Sequence, residues 1–177
     1  FELNVEAYQD FGKARGVLEL IARLDGQDSG RRILDARQAY ISGEIGSFEI
    51  YVGNRQVFWG KAESTNIVDV INQRDSAADQ GNVGKLGAAS LSIESYTDYG
   101  DLQIWYLPSF REFTFNDANA HPSAGLPIKA ARYQRSEGKN ADDLALRFST
   151  VIDDLDLAGS LFYGTARTPI MSLEDMG

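Results

Sequence analysis

Cysteine is absent from all 177 residues, so the chain has no disulfide framework, no thiolate metal site and no cysteine nucleophile. Long apolar runs are missing too. Stretches such as Leu20-Ile21-Ala22 stop after a few residues, far short of the roughly 20 that a membrane-spanning helix needs. Basic charge is scarce: 17 Lys and Arg face 26 Asp and Glu. The resulting net charge of −9 argues against nucleic acid as a partner and against electrostatic attraction to anionic lipid. Histidine occurs once, at His121, and neither clustered His and Cys nor an EF-hand spacing appears, so no metal or cofactor is expected. Asp98, Asp101, Asp153, Asp154 and Asp156 crowd two turns, which turn propensity explains without an ion. The sequence opens at Phe1 without a basic n-region or an apolar h-region, so any secretory signal is expected to have been removed or never included.

What is present is period-two alternation at strand length, eight times over. Phe1, Leu3, Val5 and Ala7 alternate with Glu2, Asn4, Glu6 and Tyr8. Leu18, Leu20, Ala22 and Leu24 stand opposite Val17, Glu19, Ile21 and Arg23. The run at 33–42 sets Ile33, Ala39 and Ile41 on one face with Asp35 and Arg37, and its facing is the least clear. Phe48, Ile50 and Val52 oppose Glu49, Tyr51 and Gly53. Further runs follow at 89–94, 102–106, 144–149 and 155–161. Mean hydropathy is −0.30, which does not decide between water and membrane, because a transmembrane strand turns only every second side chain to lipid.

The connections between these runs differ by side. Gly12-Lys13, 43–47, 97–100 and 152–154 are short and carry turn residues, whereas 25–32, 59–85 and 108–142 are long. Outer-membrane barrels have this asymmetry, with short periplasmic turns and long extracellular loops. Tyr8, Phe11, Tyr40, Phe58, Trp59, Tyr96, Tyr99, Trp105, Tyr106, Phe162 and Tyr163 fall near predicted strand ends, as the aromatic girdles of such barrels would. The pattern predicts an all-β, antiparallel up-and-down transmembrane β-barrel, one domain over 1–177, in a bacterial outer membrane. Its partners would be outer-membrane lipid, lipopolysaccharide and small solutes.

The segment at 50–75, IYVGNRQVFWGKAESTNIVDVINQRD, resembles a family of proteobacterial outer-membrane barrels of largely unknown function, related to alginate-export-type porins. The family pattern is a strand ending in G-R-Q-x-x-x-W-G, then a loop with D-V-x-N-P-x-D. Gly53, Arg55, Gln56, Trp59 and Gly60 match in order with Asn54 inserted; Asp69, Val70, Asn72 and Asp75 match the loop, with Gln73 in place of proline. LQIWYLPSF at 102–110 and LDLAGSLFYG at 155–164 are similar to later family strands, so the likeness covers roughly residues 2–171. Members are generally larger, which implies that this chain is part of a wider barrel; the alternative is a complete eight-stranded barrel with a filled lumen.

If the apolar faces meet lipid, Glu6, Glu19, Arg23, Glu49, Arg55, Glu94, Gln103 and Arg147 face the lumen. Their charges are mixed in sign. The apolar patch at 67–71 needs burial, so residues 66–75 are expected to pack inside, with Arg55 and Asp69 candidates for lining a constriction. Arg55 is equally a candidate to anchor the loop by a charge-assisted hydrogen bond. His121 and Ser123 faintly resemble the pair of an outer-membrane lipid hydrolase, but no orienting partner is visible, so an enzyme is not expected. GNVGKLG at 81–87 lacks the Lys-Ser/Thr ending of a phosphate loop and reads as a loop. The expected function is a porin-like channel. A non-conducting scaffold barrel stands second.

Overall fold

A computed structural model describes residues 1–26, 31–59, 68–75, 84–115 and 130–171. The chain is all-β. Its strands are β1 (Glu2–Phe11), β2 (Ala14–Arg23), β3 (Ile33–Ile45), β4 (Phe48–Arg55), β5 (Arg74–Asp75), β6 (Gly84–Lys85), β7 (Ala88–Thr97), β8 (Gly100–Leu107), β9 (Asp143–Ile152) and β10 (Leu155–Tyr163). Eight of them form one antiparallel sheet in the order β1-β2-β3-β4-β7-β8-β9-β10, so each pairs with its neighbours along the main sheet. β5 and β6 pair only with each other, inside the long connection between β4 and β7. The sheet is open: β1 and β10 are its two edges and do not meet.

Cross-strand register aligns the side chains in rows of one character. Gln9, Gly16, Ile41, Val52, Leu91, Tyr106, Leu144 and Tyr163 are successive partners across all eight strands, and Phe11, Ala14, Gly43, Ile50, Ile93, Ile104, Leu146 and Leu161 form the next row on the same face. The opposite face carries Asp10, Arg15, Ser42, Tyr51, Ser92, Trp105, Ala145 and Phe162, then Glu44, Glu49, Glu94, Gln103, Arg147 and Ser160. Burial runs against the rule for a water-soluble sheet. Leu91, Ile93, Leu144 and Leu146 are exposed, while their strand neighbours Ser90, Ser92, Glu94 and Asp143 are buried.

The unclear facing of the third run has a cause. Glu19 pairs with Gln38 but Leu20 pairs with Ala36, so Arg37 is the extra residue of a β-bulge. One inserted residue reverses the alternation. Ile33 and Asp35 therefore share the polar face with Arg23 and Ile21, while Ala39 and Ile41 lie on the apolar one, joined there by Leu34 and Ala36. This corrects the single-face reading of that run.

The four short connections are two-residue turns at one end of the sheet: Gly12-Lys13, Gly46-Ser47, Asp98-Tyr99 and Asp153-Asp154. Gly12, Gly46 and Asp153 supply the positive φ that tight hairpins require. The second turn is shorter than the expected 43–47, because Gly43, Glu44 and Ile45 stay paired with Ile50, Glu49 and Phe48. Gly53, at φ 132°, faces Tyr40 so closely that a Cβ would lie 2.3 Å from the Ala39 carbonyl oxygen. No other residue type fits there without moving β3.

Candidate functional site

All long connections leave the end of the sheet opposite the turns, and the described parts of those after β4 and β8 fold onto the polar face. Residues 68–75 form a strap across it. Ile71 is buried with Val57, Trp59, Ala88, Trp105, Leu107 and Ala145, a small apolar core on the otherwise polar side, with Val70 and Phe162 packed against it. Asn72 fixes the strap where β4 and β7 diverge. Its Oδ1 accepts from the Val57 amide at 2.7 Å, and its Nδ2 donates to the carbonyls of Arg55 at 2.7 Å and Leu86 at 2.9 Å. Those groups are the ones a continued strand pair would have satisfied. Asp75 accepts from Arg23 of β2 at 3.3 Å and from Thr114 at 2.6 Å.

Lys85 sits beneath the strap, pairs with Asp69, donates to the Val57 carbonyl and stacks on Phe58 at 3.7 Å. Burial holds its ammonium below the usual lysine pKa, and Asp69 opposes that shift. The connection after β8 is tied down likewise. Arg111 reaches Asp35 at 2.8 Å and the Gly87 carbonyl at 3.1 Å. Phe110 donates its amide to the Lys139 carbonyl at 2.9 Å, and Glu112 accepts from Tyr133 and pairs with Lys139 at 2.9 Å. After β10, Arg167 donates to buried Asp143 at 2.8 Å and to the Ile71 carbonyl at 3.1 Å, so the tail also holds the strap.

Register puts Glu6, Glu19, Arg23, Glu49, Arg55, Glu94, Gln103 and Arg147 all on the polar face. Most are engaged within the protein. Arg55 donates to Glu94 at 2.6 Å and Ser92 at 2.8 Å and lies 3.5 Å from the Tyr51 ring and 4.7 Å from Trp105. Glu94 also accepts from Tyr96 at 2.6 Å and Gln103 at 3.3 Å. Arg23 bridges Glu2 at 2.9 Å and Asp75; Glu19 accepts from Gln38 at 3.0 Å; Arg147 donates to the Trp59 carbonyl. Asp69 is spent on Lys85. Arg55 thus braces the sheet, and Asn72 rather than the Arg55 side chain anchors the strap. Glu6 is exposed and Glu49 half-buried.

Of the inward-packing segment 66–75, residues 68–75 lie on the polar face, while 66 and 67 are outside the described residues. His121 and Ser123 are also outside them. Within GNVGKLG, Gly84 and Lys85 are strand β6 rather than loop, paired with Asp75 and Arg74. The aromatic set divides. Phe11, Tyr106 and Tyr163 stand in apolar-face rows, but Trp59 and Trp105 are buried in the core beneath the strap and cannot be girdle residues. Arg111, Asp143 and Arg167 were not selected by sequence reasoning, and Asn72 and Asp75 entered it only as matches to the family's loop pattern. Among the described residues no group of three or more His, Asp and Glu could hold a metal ion. No family model, curated protein or solved structure matches this chain.

Proposed function

We propose that this chain is wall from a transmembrane β-barrel of a bacterial outer membrane, and that the barrel passes small solutes. The observation that carries the reading is the inverted sheet: Leu91, Ile93, Ile104, Leu144, Leu146 and Phe148 exposed, with Ser90, Ser92, Glu94 and Asp143 buried behind them. In water that arrangement leaves a continuous apolar surface hydrated, and soluble monomers rarely tolerate more than a few hundred Å² of it. In hydrocarbon it is the favoured one. Main-sheet strand lengths of 8 to 13 residues suit a tilted crossing, which takes roughly 9–11.

Hydrocarbon also bears on the edges. Lipid cannot satisfy unpaired amides and carbonyls, so β1 and β10 need strand partners in the membrane. The open sheet therefore fits a wall segment of a wider barrel better than a complete eight-stranded ring. Outer-membrane lipid and lipopolysaccharide would contact the apolar face. The competing reading is a non-conducting scaffold, and the strap on the polar face favours it. Planar-bilayer recording of the intact protein separates the two. Stepwise single-channel conductance is expected, and a closed trace at every voltage would leave the scaffold.

A further inference from the structure

Cover on the polar face changes across the sheet. From β7 to β9 much of the polar face is covered: Trp105 and Ala145 pack beneath Ile71 of the strap, Ser92 and Glu94, 0% and 1% exposed, lie against Arg55, and Asp143, 0% exposed, is held by Arg167. On β1 the inward positions are open: Tyr8 is 72% exposed, the Asp10 side chain 67%, and Glu6 is exposed as well. Arg15 on β2 pairs with Asp10 at 3.3 Å and lies 5.3 Å from the Tyr8 ring. A solute moving along this wall meets accessible polar side chains where, among the described residues, no loop lies over them.

We propose that the solute pathway runs over β1 and the adjoining part of β2, lined by Glu6, Tyr8, Asp10 and Arg15, while Arg55 and Glu94 brace the wall and never meet solute. The inference rests on the pore reading above. It follows from pairing as well as cover, because a guanidinium stacked on two rings and bonded to a buried carboxylate cannot turn toward a solute without breaking that pair. The open stretch presents a phenol face, an Asp10–Arg15 pair and one carboxylate, Glu6, beyond that pair. It suits small hydrogen-bonding solutes and favours cations over anions.

The absence of cysteine makes a clean test. Glu6→Cys, Asp10→Cys and Ser92→Cys are made in the intact protein, reconstituted in planar bilayers, and treated with a water-soluble cationic methanethiosulfonate. Ser92→Cys is close to isosteric and keeps the wall folded. Irreversible stepwise loss of current in Glu6→Cys and Asp10→Cys, with Ser92→Cys unmodified, is the expected result. Current loss in Ser92→Cys with Glu6→Cys and Asp10→Cys silent would overturn the pathway and leave the pore standing. Labelling of the β1 cysteines without current loss would overturn it too. A wild-type protein that never conducts would remove the pore reading itself.

Discussion

Asn72→Ala should release the strap and leave the sheet intact. The substitution deletes three hydrogen bonds, to the Val57 amide and to the Arg55 and Leu86 carbonyls. At about 1 kcal/mol net apiece these amount to about 3 kcal/mol. The Val57 amide then has no acceptor in an apolar surround, which adds on the order of 1–2 kcal/mol. Strap opening should thus become easier by about 4–5 kcal/mol, or roughly 700-fold to 4,000-fold at ~1.4 kcal/mol per factor of ten. Native-state hydrogen exchange of the intact protein in detergent reads this directly. The Leu86 amide, which donates to the Gln73 carbonyl at 2.8 Å, reports the strap, and Ile93 and Ile104 at the centre of the sheet report the wall. Asn72→Asp keeps the acceptor for Val57 and should fall between. Acceleration at Leu86 below tenfold would refute the reasoning. So would equal acceleration at Ile104, which would make Asn72 a support of the whole sheet.

Two further outcomes follow from the same geometry. Hydrogen bonds from Tyr133 and Lys139 hold the Glu112 carboxyl below its ordinary 4.5, so its contribution is complete above that value and lost as pH falls through the lower folded value. Exchange at the Phe110 amide, corrected for intrinsic rate, should show the closure of this loop constant above pH 4.5 and weakening as pH falls below it; a flat profile contradicts the assignment. Gly53→Ala drives a Cβ against the Ala39 carbonyl at a φ of 132° and should cost roughly 3 kcal/mol or more. Gly46→Ala, at φ 64° with nothing within 4 Å of the added carbon, should cost about 1–2 kcal/mol. Equal urea midpoints for the two variants in micelles would contradict the close approach of β3 and β4.

The main strands were legible because each exposes one face to each of two environments, which prints a period of two in residues such as Leu144, Leu146 and Phe148 against Ala145, Arg147 and Ser149. The polar side of the candidate set was legible for the same reason. The bulge at Arg37 was not, since an extra residue leaves composition unchanged and reverses only the phase. Two-residue β5 and β6 are too short to show any period. Pairings were illegible for a different reason. Arg167 meets Asp143 across 24 positions and Arg111 meets Asp35 across 76, separations set by how the loops fold back and not by local pattern. Arg55 and Asp69 drew attention as charges near a motif, and charge alone does not say whether a neighbour has already consumed it. The motif residues Gly53, Gln56, Trp59, Asp69, Asn72 and Asp75 prove to be strap and strand contacts, with Gln56 donating to the Lys85 carbonyl.

The central claim is that the apolar face of the sheet meets hydrocarbon. Single nitroxide labels at Leu144, Ala145, Leu146, Arg147, Phe148 and Ser149 of β9 test it in the intact protein reconstituted in lipid vesicles. Collision with oxygen, which concentrates in lipid, should be high at Leu144, Leu146 and Phe148, and collision with a water-soluble nickel chelate should be low there. Ala145, Arg147 and Ser149 should show weak collision with oxygen. Chelate access at Leu144, Leu146 and Phe148 equal to that of a label in the Asp98-Tyr99 turn would put this face in water and contradict the account.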